Sequence, residues 1–479
     1  MQATLPVSAT QAPSLASSRT VIGRELQVGI SGFGSWMLGV GTIIGSMAWL
    51  FHGPMIARAG TMASIGAFVA GALISLPLAM VLSELSRLVP AAGGPYVYKY
   101  LAFKKMFPQC GEFLGFSSGW LFWVALVAGY ACMANGLSGL LATSIWGSAD
   151  SAPLWFGPVC IVLMFVVSTA MNSLSVSRVA LVNNMFTVMK FALAAAFLAI
   201  VVASGKFDVT RVLQTTNLAG QGNFWTNLSS VLIFGIAAYS GLELSACVSS
   251  ETTEAQKNVP RAILLTLVSV ALIYFIMSVC VGGVATFTCT ADGAAAIVRG
   301  TNIPATCPGI AGMLAGSGVG ALFTFGVVAS IIGCAIGGLL SCARIVFAIA
   351  RTGLFPRQLA EVNAQKVPSN ALWFQCAVMT LVGTAANLLA RCGLFPDAYT
   401  FLAEVFAFLY SFLAIFYGVS LLVLGSKTKR HVVPALLVIG IYCALAFLCV
   451  SPIHQACAAL LLLLGVPVHI INMRQKPVS

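Results

Sequence analysis

The chain has 479 residues, of which 59% are hydrophobic and 8% charged, against about 25% charged in an ordinary soluble domain. Mean hydropathy is +0.99. These values exclude a soluble globular enzyme, a disordered protein and a coiled coil, and leave a polytopic membrane protein. The net charge of +12 comes from 24 Lys and Arg against 12 Asp and Glu. In a soluble protein that balance would point to nucleic acid. Here it has a plainer cause, because inside loops of membrane proteins collect Lys and Arg, and no nucleic-acid partner is expected.

Residues 1–25 are polar, rich in Ser, Thr and Ala, and lack the apolar region of a signal peptide. They read as a disordered cytoplasmic tail. Runs of about 20 apolar residues then follow one another, each enough to span a bilayer. Charge-free stretches cover 26–57, 59–83, 113–149, 151–177, 212–242, 262–291, 300–343 and 367–390. Residues 179–205 are interrupted by Lys190 alone, and 398–426 by Glu404 alone. Residues 432–473 break at Ser451-Pro452 into two spans, and 474–479 form a short basic tail. The sum is an all-α polytopic membrane protein with 12 transmembrane helices. An even number puts both termini on one side. With that side cytoplasmic, inside loops hold 18 Lys and Arg and outside loops hold five, Arg58, Lys206, Arg211, Arg299 and Arg391. Lys190 is left in the membrane. The polar segments 84–112 and 344–371 are expected to carry short surface helices, with Glu84 and Arg87 in a polar network.

Two spans look broken. Span 1 contains Gly39-Val-Gly41-Thr-Ile43-Ile-Gly45-Ser46-Met47, and glycine weakens a helix interior. Small residues also allow close helix packing, so one such run is ambiguous. Span 6 carries Phe234-Gly235-Ile-Ala237-Ala-Tyr239-Ser240-Gly241-Leu-Glu243. Interruptions in corresponding spans of two halves point to an inverted repeat with a substrate site between them. The half-helix N-terminus after Gly45 suits a carboxylate, and the preceding carbonyls suit an ammonium group. A zwitterionic α-amino acid is the natural ligand.

At these residues the chain resembles the amino acid–polyamine–organocation permease superfamily, over about 26–472. The resemblance rests on four motifs in order. They are Gly41-Thr-Ile-Ile-Gly45-Ser46; Glu84-Leu-Ser-Arg87-Leu-Val-Pro90-Ala-Ala-Gly93-Gly94-Pro95-Tyr96-Val-Tyr98; Tyr239-Ser-Gly241-Leu-Glu243 with Glu251 and Lys257-Asn-Val-Pro260-Arg261; and Ser341-Cys-Ala-Arg344 with Ala350-Arg351-Thr-Gly353-Leu-Phe-Pro356. It implies a LeuT-like 5+5 inverted repeat, with 26–205 and 212–426 as the halves and spans 11 and 12 (432–473) outside it. It implies that Gly45, Ser46 and Met47 supply amides to the substrate carboxylate. Ile43 and the carbonyls of Ala237 to Ser240, Tyr239 included, would receive the ammonium, and Ala125, Leu126 and Tyr130 would line the side-chain pocket. Met47 stands where many members have glycine. Ala237 stands where arginine exchangers carry a large aromatic, which points away from an arginine-type substrate. Lys190, by the same match, would bond the carbonyls of the span-1 break and reach Ser330 in span 8, where sodium-coupled relatives bind a cation. Glu243 would either bond freed backbone N–H groups or act as a proton-responsive gate.

The expected activity is therefore secondary active transport of amino acids by alternating access, proton-coupled or exchanging. The alternatives are a polyamine or organocation antiporter and a transport-like amino acid sensor. No enzyme activity, cofactor or metal site is expected. The partners are an amino acid, protons or a counter-substrate, and the bilayer, with the oligomeric state open. The setting is the plasma or bacterial inner membrane. Most of the 14 cysteines lie in apolar stretches as small hydrophobes. Cys289 and Cys307 share a polar loop on the outside, where they can pair or remain free thiols.

Overall fold

A backbone removed from water must satisfy its polar groups within its own segment, so the apolar runs become helices. The computed structural model describes residues 26–215, 222–289, 296–394, 397–448, 455–456, 459–460 and 463–474. Span 1 is divided into α1 (Gly32–Ile43), α2 (Met47–Leu50) and α3 (His52–Ala59). Then come α4 (Thr61–Leu88), α5 (Gly94–Met106), α6 (Gly111–Trp146), α7 (Phe156–Asn172), α8 (Val176–Ala203) and the single turn α9 (Val209–Val212). Span 6 is α10 (Phe224–Ala237), an irregular stretch, and α11 (Leu244–Cys247), followed by a 3-10 turn at Ser249–Glu251. The rest is α12 (Ala255–Val284), α13 (Cys307–Ala315), α14 (Ser317–Arg351), α15 (Ser369–Arg391), α16 (Ala398–Leu424), α17 (Lys429–Leu448) and α18 (Gly465–Arg474). Among the described residues, eight helices are long and apolar enough to cross a membrane, and α7 and α10 are shorter apolar helices. The chain is an integral, multi-pass membrane protein, mostly helical in its architecture.

Two expectations are corrected. The run 300–343 is not one span: α13 and α14 meet at Gly316, whose φ of 100° only glycine adopts readily. A small antiparallel hairpin also interrupts the helices. Its strands β1 (Phe287–Cys289) and β2 (Ala296–Val298) pair Phe287 with Val298 and Cys289 with Ala296. Hydropathy alone does not separate a membrane-crossing run from a short apolar helix packed on its neighbours. The break at Ser451-Pro452 lies outside the described residues.

Packing places the broken span at the centre. α1 packs along α12 and α8, α4 along α12 and α10, α8 along α14, and α6 along α16. α4 and α10 approach backbone on backbone, where a Cβ on Gly71 of α4 would overlap the Gly235 carbonyl of α10. α8 shows the outward amphipathicity of a peripheral span. Leu181, Met185, Val188 and Val202 are exposed, whereas Asn183, Thr187 and Lys190 on the opposite stripe are buried. At one end, Glu84 on α4 pairs with Arg87 (2.7 Å), Arg430 and His431 (3.4 Å), tying α4 to α17. At the same end as Glu251, the N-terminal segment docks, with Gly29 and Ile30 donating their amides to the Glu251 carbonyl at 3.0 Å each.

Candidate functional site

The break in span 1 leaves carbonyls without intrahelical partners, and three other helices meet them. Lys190 on α8 donates its ammonium to the Gly41 carbonyl. Cys334 on α14 donates its thiol to the Thr42 carbonyl at 3.0 Å. Tyr274 on α12 donates its hydroxyl to the Ile43 carbonyl at 3.4 Å. Lys190 is fully buried, so its charge is expensive without such a partner. Ser330 is not its second contact. The Ser330 hydroxyl accepts the Trp49 indole N–H at 2.9 Å, and Lys190 has the thiol of Cys334 close by.

On the substrate side, the Gly45 amide turns back to the Ile43 carbonyl at 2.8 Å, so it is already bonded. The amides of Ser46 and Met47 find no backbone acceptor among the described residues. The Ser46 hydroxyl bonds the Tyr399 hydroxyl at 3.1 Å. In span 6, Ser240 donates its amide and its hydroxyl to the Ala237 carbonyl. Gly241, with φ of 111°, makes the sharp turn that lets α11 resume. Glu243 is fully buried beside it. One carboxylate oxygen accepts the Tyr410 hydroxyl at 2.9 Å and the Gly241 amide at 3.3 Å. Glu243 thus accepts one backbone N–H at the break.

The two breaks face one cavity of about 100 Å³. Ile43, Gly45, Ser46, Met47, Leu126, Tyr130, Ala237 and Ser240 line it. Ala125 and Tyr239 do not line it. Ala125 is buried elsewhere on α6, and Tyr239 turns its hydroxyl to the Phe68 carbonyl at 2.9 Å and its ring edge onto Tyr274 at 5.5 Å. Sequence reasoning missed Cys132, Met133, Cys334, Tyr274, Ala403 and Phe406 in the wall. A signal existed for Met133, which lies seven residues after Leu126 on the same face of α6. Among the described residues no Asp, Glu, Lys or Arg lines the cavity. Elsewhere, Cys307 is a buried free thiol at the start of α13, and the side chain of Cys289 lies outside the described residues. Among the described residues no cluster of three metal-ligating side chains occurs.

A multi-pass helical membrane protein with a small central cavity between two interrupted helices is built as a permease. The chain belongs to the amino acid permease family, which matches it over residues 30–467, within the amino acid–polyamine–organocation superfamily. It is 23% identical over 368 residues to a branched-chain amino acid permease of Lactococcus lactis, covering 72% of this chain and 73% of that one. It is 26% identical over 354 residues to a serine/threonine exchanger of Bacillus subtilis, covering 73% and 74%. It is 25% identical over 342 residues to an arginine/ornithine antiporter of Pseudomonas aeruginosa, covering 70% and 66%. Amino acid transport across a membrane is the shared activity.

Proposed function

We propose that this permease carries small neutral amino acids by alternating access, with two inverted five-helix repeats rocking around the cavity and both termini cytoplasmic. The observation that carries the reading is that the breaks of spans 1 and 6 face one cavity with no Asp, Glu, Lys or Arg among the described residues of its wall. Backbone groups at the breaks recognise the zwitterion: the amides of Ser46 and Met47 take the carboxylate, and the carbonyls of residues 238–240 take the ammonium. Leu126, Met133, Ala237, Ala403 and Phe406 favour an apolar side chain. An organic dication finds no carboxylate in the wall, which disfavours the polyamine reading. Lys190 on the Gly41 carbonyl supports proton coupling or exchange over sodium coupling.

The test is uptake into proteoliposomes with a panel of labelled amino acids, with and without internal amino acid, sodium and a pH gradient. Counterflow of neutral aliphatic amino acids but not of arginine, independent of sodium, is the expected result. Lys190→Met is expected to lose pH-driven accumulation and keep some exchange. A sodium requirement, or preference for cationic substrates, overturns the proposal.

A further inference from the structure

α5 is too short to span and lies against α11 beside the span-6 break. The Gly93 amide donates to the Cys247 carbonyl at 2.8 Å. A Cβ on Gly94 would fall 2.7 Å from the Ala246 carbonyl oxygen. The lysines at the far end of α5 are solvated: Lys104 pairs with Glu112 at 3.8 Å, and Lys105 donates to the Val423 carbonyl at 3.0 Å. Lys99 is different. It is 0% exposed. Its ammonium sits 4.5 Å from the Phe122 ring centroid on α6 and 4.7 Å from the Tyr417 centroid on α16. It makes no hydrogen bond to any described residue. Two aromatic faces attract a cation but do not replace its hydration.

The neighbours share this lack. The second carboxylate oxygen of Glu243 and the Tyr417 hydroxyl are also buried without partners among the described residues. One α16 face links the two ionisable groups, with Tyr410 on Glu243 and Tyr417, two turns on, under Lys99. Unpartnered donors and acceptors gathered in one interior place are satisfied by internal water.

We propose that Lys99 is a second proton-binding group of the transport cycle, exchanging a proton with Glu243 along the α16 face that carries Tyr410 and Tyr417. The inference rests on the proton-coupled reading above. In the step, the O–H of protonated Glu243 breaks and an N–H forms on neutral Lys99, leaving carboxylate and ammonium. Lys99 then releases the proton to cytoplasmic water. Burial pushes the Lys99 ammonium down to about 7, while Glu243 and Cys247 pull the other way. Lys99 is therefore charged below about pH 7 and neutral above it. Glu243 and Cys247 act on it from span 6. Tyr417 faces it from α16. The other charges nearby are committed: Arg344 on α14 to Glu251, Glu84 on α4 to Arg87, Arg430 and His431, and Glu112 on α6 to Lys104.

The experiment is proteoliposome exchange at equal pH on both sides, over a pH series, beside accumulation driven by a pH gradient. Lys99→Met and Lys99→Arg are each expected to keep exchange and lose pH-driven accumulation, and the Met variant to lose the wild-type midpoint near neutrality. A strut role predicts that arginine restores both readouts, which would overturn the inference. Phe122→Leu, which removes one ring, is expected to move the midpoint about half a unit to lower pH, and Phe122→Tyr to leave it. This second pair keeps the test open should the lysine variants fail to fold, and an unmoved midpoint in Phe122→Leu overturns the assignment. Wild-type protein that exchanges amino acids but ignores a pH gradient defeats the proton-coupled branch of the reading above and this inference together, and leaves exchange standing. A responsive wild type with an equally responsive Lys99→Met defeats this one alone.

Discussion

At the scale of single residues, the cavity is shaped by contacts that leave no slack. The hydroxyl end of the Tyr130 ring on α6 rests against Gly338 on α14, where any Cβ would overlap it. Gly338→Ala must push Tyr130 toward the cavity, and overpacking of this kind costs about 1–3 kcal/mol. The expected outcome is about a tenfold or greater loss of substrate affinity with normal membrane insertion. Measured by competition binding, the loss should be largely reversed in Gly338→Ala combined with Tyr130→Leu. Unchanged affinity in the single variant would remove Tyr130 from the pocket wall. Part of this arrangement was legible beforehand. Gly41, Gly45 and Gly241 announce the breaks because backbone freedom is written in residue type, and Glu243 announces itself by its cost. The partner of Lys190 was only half legible. Its lysine stands out in an apolar run, but whether Ser330 or a backbone carbonyl receives it depends on how α8 and α14 are rotated, and Trp49 had already claimed the serine.

At the scale of elements, α4 and α10 touch through their backbones. A Cβ on Gly235 would overlap the Ala67 carbonyl, just as one on Gly71 would overlap the Gly235 carbonyl. Backbone cannot swing aside as a side chain can. Gly235→Val is expected to lower stability by about 1–3 kcal/mol or to prevent folding, read as loss of thermostability in detergent. Gly139→Ala, on α6 with open space around its Cβ, is the matched control and should change little. Wild-type thermostability in Gly235→Val would show that these two helices are not locked. The motif at 239–243 was visible in the sequence, but this contact was not. A glycine's packing partner lies some 165 residues away, and only the crossing point of two helices reveals it. The same limit explains α13, whose apolar residues read as the start of a span until Gly316 turns the chain.

At the scale of the whole molecule, one buried ion pair joins the turn after span 6 to α14. Arg344 donates from Nε and Nη2 to the two carboxylate oxygens of Glu251 at 2.7 Å each, with neither side chain exposed. The N-terminal segment is fastened to the same turn through the Glu251 carbonyl. Removing one charge strands the other. Arg344→Met or Glu251→Gln is expected to cost about 3–5 kcal/mol, and the double variant Arg344→Met with Glu251→Leu to recover most of it. Chemical or thermal denaturation in detergent separates these outcomes. A double variant no better than the singles would mean that the pair fixes the relative placement of the turn and α14 in some way beyond charge balance.

The capped break in span 1 has a consequence for heredity. The carbonyls of Gly41, Thr42 and Ile43 are held by Lys190, Cys334 and Tyr274, one from each of three helices. A fault at any one of these positions disturbs the same short stretch of backbone. In a genetic screen, lesions at 190, 274 and 334 should therefore fall into one phenotypic group. Second-site suppressors of any of them should map to residues 39–47, although the original lesions are scattered along the gene.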